Sequence, residues 1–198
     1  MHNFTDYIKE LQKQKLTDIT EHSHRAALEI LLNSVAKDIS TQETNILHEP
    51  KRQGKNGSPD FMVSTSAGII GYIENKKITQ NLNETILSEQ IEKYKKLSDN
   101  LLITNYVEFV WLKGDEIFRE TLCEITDLQN KSFKINPQNE NKVYELVKKF
   151  INQAPRGIAD IETLAFALAE RSKYLFVILY EYLTCIIHKN KQNDVNIL

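Results

Sequence analysis

Two short apolar runs joined by a tight turn constrain this chain most. Asp60 to Thr65 and Ile69 to Lys76 each read as a strand, and Ser66-Ala67-Gly68 between them is a turn. The two runs therefore pair as a hairpin. In the first, Phe61 and Val63 share one face. In the second, Ile70, Tyr72, Glu74 and Lys76 share one face, because side chains alternate along a strand. An acidic and a basic residue thus end an otherwise apolar face. Asp60, at the start of the partner strand, brings a second carboxylate toward the same end of the sheet.

Helical patterns surround this hairpin. Phe4, Tyr7, Ile8 and Leu11 recur at helical spacing. Thr20 can cap a helix from Glu21 to Lys37, with Ala27, Ile30, Leu31, Ser34 and Val35 as its buried stripe. Thr44 to His48 reads as a strand, followed by a turn-rich basic loop from Lys51 to Gly57. Glu84 to Leu97 reads as one helix with Leu87, Gln90, Ile91 and Tyr94 on one face. Strands are expected over Leu101 to Thr104, Val107 to Leu112 and Glu116 to Ile125, the last two turned by Gly114-Asp115. A helix follows over Glu140 to Ile151. After Ala154-Pro155-Arg156-Gly157, another runs from an Asp160 cap to about His188. The expected fold is an α/β sandwich, a mixed central sheet flanked by helices, with a C-terminal helical subdomain. The expected divisions are 1–20 (helix and connector), 21–126 (core) and 127–198 (helical extension).

Charge narrows the partners. Lys and Arg total 25 against 27 Asp and Glu, a formal net charge of −2, which excludes a uniformly basic nucleic-acid coat but allows a local basic patch. The two cysteines, Cys123 and Cys185, lie in no CxxC spacing, which excludes a disulfide scaffold or a cysteine-rich zinc site and suits a reducing cytoplasm. The N-terminal residues do not read as a secretory signal. The apolar run Tyr174 to Ile187 contains Glu181 and is too short to span a bilayer. It is apolar nearly all round, so packing partners are expected on two sides: the body of the protein, and a second copy or a following domain.

The chemistry gathers at the hairpin. Asp60 and Glu74 offer hard oxygen ligands, which suit Mg²⁺. Lys76 beside them can orient or help deprotonate a water, so the set suits phosphodiester hydrolysis. Gln90 on an apolar helix face calls for a buried polar partner, for which an active-site lysine or a DNA phosphate would serve. Lys51, Arg52 and Lys55 in the basic loop, and Lys93 beside Tyr94, offer contacts to a phosphate backbone. Glu21 either points into the metal region or simply answers a helix dipole. His22 and His24 are two apart and face different ways on a helix, against a shared ion. Arg25 is expected to pair with a nearby carboxylate or phosphate. Without a cation, Asp60 and Glu74 are expected to repel each other, so that Asp60→Ala would change stability little or raise it.

Pro59-Asp60, Glu74-x-Lys76 and Gln90-x-x-x-Tyr94 together resemble the PD-(D/E)xK nucleases, in the branch related to RecB-like enzymes. The strings Glu21-His22-Ser23-His24-Arg25, Pro59-Asp60-Phe61 and Gly71-Tyr72-Ile73-Glu74-Asn75-Lys76 are similar to the N-terminal nuclease domain of large single-chain restriction-modification enzymes. The resemblance covers roughly Glu21 to Lys113. It implies a restriction-endonuclease-like fold and Mg²⁺-dependent cleavage of double-stranded DNA, with Mn²⁺ as a substitute. Asp60, Glu74 and the main-chain carbonyl of Asn75 would bind the metal, Lys76 would be catalytic, Glu21 auxiliary, and Gln90 and Tyr94 supporting. An adenine methyltransferase, sometimes with a helicase, follows such domains. No glycine-rich phosphate loop ending in Gly-Lys-Ser/Thr is present in these 198 residues. The alternatives are a Holliday-junction or repair nuclease of the same fold, and a non-catalytic DNA-binding or docking module.

Overall fold

The structure is a computed structural model, and it describes residues 4–13, 23–39, 43–50, 57–155, 168, 172, 175–180 and 182–184. The chain divides into two units, Met1–Arg156 and Gly157–Leu198. In the first, one sheet holds six strands in the order β1 (Asn45–His48), β2 (Phe61–Thr65), β3 (Gly68–Asn75), β4 (Asn100–Thr104), β5 (Glu108–Lys113) and β6 (Glu116–Thr121). All neighbours are antiparallel except β3 and β4. That parallel pair requires a crossover, which α3 (Leu82–Ile86) and α4 (Glu89–Leu97) supply.

The hairpin forms as its turn residues dictate. Phe61 faces Ile73, Met62 faces Tyr72, and the register shifts between Val63 and Ser64. Gly68 takes a φ of 145° in the turn. Gly71 is required for a different reason: a Cβ there would lie 2.4 Å from the Asn100 carbonyl oxygen and 2.7 Å from Asn100 Nδ2. Asn100 ties the neighbourhood together. Its amide donates to the carbonyls of Ile70 (3.0 Å) and Phe150 (3.2 Å), and its Oδ1 accepts from the Trp111 indole (2.7 Å).

Helices α1 (Phe4–Leu11), α2 (Arg25–Ile39) and α5 (Pro137–Ile151) share one core with the sheet, through Phe4, Tyr7, Leu28, Leu32, Ile73, Leu102, Val147 and Phe150 among others. This differs from a division at residue 127. The apolar stripe of α5 belongs to the sheet's core, so the unit closes only after it. Asn136 caps α5 and a proline fills its first turn, which starts the helix earlier than expected.

Three other details differ from the sequence reading. Helix α2 starts at Arg25, and its buried face is Leu28, Leu31, Leu32, Val35 and Ala36, leaving Ile30 59% exposed. The expected helix 84–97 is two helices, because Ser88 accepts from the Ile91 N–H and starts a new one. Leu87, at the break, is 81% exposed rather than on the face of Gln90 and Tyr94. Strand β6 ends at Thr121, and Ile125–Gln129 form a 3-10 turn with Leu128 buried.

In the second unit the described residues 168, 172, 175–180 and 182–184 are helical. Leu175, Phe176, Val177, Ile178, Leu179 and Tyr180 are all exposed. Among the described residues no helix is long and apolar enough to cross a membrane.

Candidate active site

Glu74 is the penultimate residue of β3, and Lys76 directly follows the strand. Both faces of β3 are covered, and Glu74 is buried. Lys76 Nζ donates to Glu74 Oε1 at 2.7 Å and to Gln90 Oε1 at 2.9 Å. Gln90 Nε2 in turn donates to Glu74 Oε1 at 2.8 Å and to Tyr94 Oη at 3.0 Å. Gln90 thus uses its acceptor on the lysine and its donors on the carboxylate and the phenol, an assignment the network itself fixes. Gln90 and Tyr94 lie one turn apart on α4, so both reach the same strand end.

Tyr94 extends the network to the other strand. Its hydroxyl donates to the Ser58 carbonyl at 3.0 Å, two residues before Asp60. Its pKa is pushed up to about 12, first by burial and then by the charge of Glu74, with Asp60 adding to it. The phenol is a permanent donor at any physiological pH. Gly57, with φ of 95°, passes close to the ring: a Cβ there would sit 3.2 Å from Tyr94 Cε1.

Asp60 lies just before β2 and is buried. Its Oδ2 accepts from the Asn75 N–H at 2.9 Å, which joins the two strand ends directly. Its Oδ1 accepts from Arg25 Nη2 in a buried ion pair, and Arg25 Nη1 reaches Glu49 Oε1 at 2.7 Å. Arg25 also lies 3.4 Å from His48 Nε2. The partner of Arg25 is therefore Asp60 itself, which sequence alone could not single out. It also bears on the expectation that Asp60→Ala changes stability little or raises it, which weighed only the charge of Glu74. The nearest compensation for Asp60 is a buried guanidinium, and Asp60→Ala strips that cation of its buried partner.

Asp60, Glu74, Asn75, Lys76, Gln90 and Tyr94 are brought together in this way. Lys93 lies on α4 with its side chain exposed. Glu21, His22, Lys51, Arg52 and Lys55 lie outside the described residues. His24 is buried, its pKa lowered by that burial, and its ring meets the Tyr106 ring edge-on at 5.4 Å. A groove of about 360 Å³ opens beside Lys76 and Gln90, also lined by Lys77, Gln80, Thr85 and Ser88.

No protein-family model matches the chain, and no curated protein matches it in sequence. Among solved structures, it is similar to the DrdV–DNA complex determined by electron cryomicroscopy, with a TM-score of 0.53 and 22% identity over 76% of this chain. The fold is restriction-endonuclease-like. The match spans only 14% of the DrdV chain.

Among the described residues no group of three or more His, Cys, Asp or Glu side chains could hold a metal ion. Two buried carboxylates and a backbone carbonyl do not suit a closed zinc cage. They do fit Mg²⁺, which takes one or two carboxylates and keeps several waters. Arg25 and Lys76 already balance part of the carboxylate charge, so a cation here meets an electrostatically compensated site.

Proposed function

We propose that this chain is the nuclease part of a restriction-type enzyme, and that it hydrolyses phosphodiester bonds of double-stranded DNA with Mg²⁺, or Mn²⁺ in its place. The observation that carries this reading is the Glu74–Lys76–Gln90 triangle set beside Asp60. Burying a carboxylate pair and an aimed ammonium at one strand end costs desolvation, and such perturbed clusters gather at functional sites. The likeness in fold to a chain solved as a complex with DNA supports the same direction.

Asp60, Glu74 and the Asn75 carbonyl would hold the cation, which when bound supplies Lewis acidity at the scissile phosphate. Lys76 donates toward the phosphoryl oxygens as negative charge builds on them, and it orients the attacking water. Gln90 keeps the ammonium aimed by accepting from it while holding Glu74 from the other side. Tyr94, always protonated, fixes Gln90 and ties α4 to the segment that carries Asp60 into β2. Exposed Lys93, with Lys51, Arg52 and Lys55 of the basic loop, would meet the flanking phosphates and make binding steeply salt-dependent.

The fraction of the DrdV chain that is matched supports a further part of this reading. Cleavage would be one activity of a larger enzyme, whose methyltransferase or helicase lies downstream or whose second copy completes it. Supercoiled plasmid incubated with the chain is the test. Nicked and linear DNA should appear with Mg²⁺ and not with EDTA. Binding without cleavage in Mg²⁺ and Mn²⁺ alike would make it a docking module instead.

A further inference from the structure

The Asn75 peptide is tethered on both sides. The Lys76 N–H donates to the Thr104 carbonyl of β4 at 2.8 Å, and the Asn75 N–H donates to Asp60 Oδ2 at 2.9 Å. The described residues contain no cis peptide bond. The Asn75 carbonyl therefore points opposite to the Lys76 N–H, away from β4 and toward the Asp60 side. The Asn75 side chain adds a third tether: its Nδ2 donates to Tyr106 Oη at 2.8 Å, with both residues fully buried.

Tyr106 reaches that position through an unfavourable backbone. Its φ is 75°, in the left-handed region that side chains larger than asparagine rarely enter. Several contacts hold it there. Its N–H donates to Thr104 Oγ1 at 2.9 Å, its carbonyl accepts from the Tyr7 hydroxyl at 2.8 Å, and its ring packs edge-on against His24. The turn from β4 to β5 does not need a tyrosine to close, because Asn105 Oδ1 accepts from the Glu108 N–H at 2.8 Å. Strain held by surrounding structure, at a residue whose hydroxyl touches a candidate ligand residue, is typical of a working site.

We propose that Tyr106 and the Asn75 side chain are positioning residues for the cation, fixing the Asn75 carbonyl as an oxygen ligand beside Asp60 and Glu74. Tyr7 holds Tyr106 in place from α1. The inference rests on the reading of Asp60, Glu74 and the Asn75 carbonyl as the cation site. Groups that orient a metal ligand from behind typically change metal affinity by about 10–100-fold when removed.

The experiment is Mn²⁺ binding to the whole chain, followed by electron paramagnetic resonance without DNA, with circular dichroism and thermal melts to verify folding. Tyr106→Phe keeps the ring and removes only the hydroxyl. It should weaken Mn²⁺ binding about tenfold or more, and Asn75→Ala should do the same. The double variant should be no weaker than either single one, because both act through one bond. A merely structural role would lower the melting temperature without moving the dissociation constant. Unchanged Mn²⁺ affinity in the folded single variants overturns the inference and leaves the site reading standing. If the unsubstituted chain shows no saturable Mn²⁺ binding that Asp60→Asn removes, the site reading fails and takes the inference with it. Should one single variant be unfolded at the assay temperature, the other decides.

Discussion

Arg25 and Asp60, 35 residues apart in sequence, form a hydrogen-bonded ion pair with only 9% and 11% of their side-chain surfaces exposed. The pair links the first turn of α2 to the strand end that carries the candidate chemistry. Asp60 is thereby held in one orientation, with Oδ1 on Arg25 and Oδ2 on the Asn75 N–H. The other partner of Arg25, Glu49, takes Nη1 while Asp60 takes Nη2, and it is largely exposed.

Breaking this pair from the arginine side is costly. Arg25→Met leaves a buried carboxylate without its cation and should lower unfolding free energy by about 3 kcal/mol. Urea melts measure it. A loss under about 1 kcal/mol would show that water reaches Asp60 and that the pair behaves as a surface one.

Gly71→Ala should be as damaging for a purely steric reason. The new methyl would meet a backbone carbonyl at 2.4 Å, and β3 cannot retreat without breaking its pairing with β4. A loss of about 3 kcal/mol in the same melts is expected. A near-neutral effect would mean that β3 and Asn100 are farther apart than described.

Tyr94 gives a pH signature. Its pKa is raised to about 12 in the fold, above the ordinary value of about 10 for a free tyrosine. Folding therefore favours the protonated phenol. The resulting stability is present in full below pH 10 and is lost as pH rises through 12. Absorbance at the tyrosinate band, compared between the unsubstituted chain and Tyr94→Phe, should show no difference near pH 10. A difference centred there would place Tyr94 in water.

Gln90→Ala should slow cleavage without abolishing metal binding. It removes one hydrogen bond to Lys76 and one to Glu74, so a rate loss of roughly 10-fold is expected, about 1.4 kcal/mol in the barrier. Single-turnover cleavage at saturating Mg²⁺ measures it. An unchanged rate would leave Gln90 as packing only.

The hairpin was legible because its alternation and its turn agreed, and Glu74 near the end of β3, with Lys76 directly after it, lies where that alternation puts it. Gln90 was legible for the opposite reason, as a polar residue on an apolar stripe. The α3–α4 break was hidden because Leu87 fits a helical stripe, while the serine after it, a capping residue, is easily read through. Ile30 misled in the same way: its spacing fits the stripe of Ala27, Leu31 and Val35, but the buried face runs through Leu28, Leu31, Leu32, Val35 and Ala36 and leaves Ile30 in solvent. Arg25 announced a need for a partner but not which one, since two carboxylates reach it only after β1 and β2 pair. Tyr106 carried no signal at all. Its left-handed backbone and its bond to Asn75 exist only once β3 and β4 lie side by side.

If Lys76 and the two carboxylates hydrolyse DNA as proposed, Lys76→Ala is the decisive variant. Lys76 follows β3 at its edge, with 18% of its side chain exposed, and its loss leaves Gln90 to satisfy Glu74, so folding should survive. Plasmid nicking in Mg²⁺, with protein in excess over DNA, should fall at least ~10²-fold against the unsubstituted chain. Nicking by folded Lys76→Ala at an undiminished rate would contradict the account.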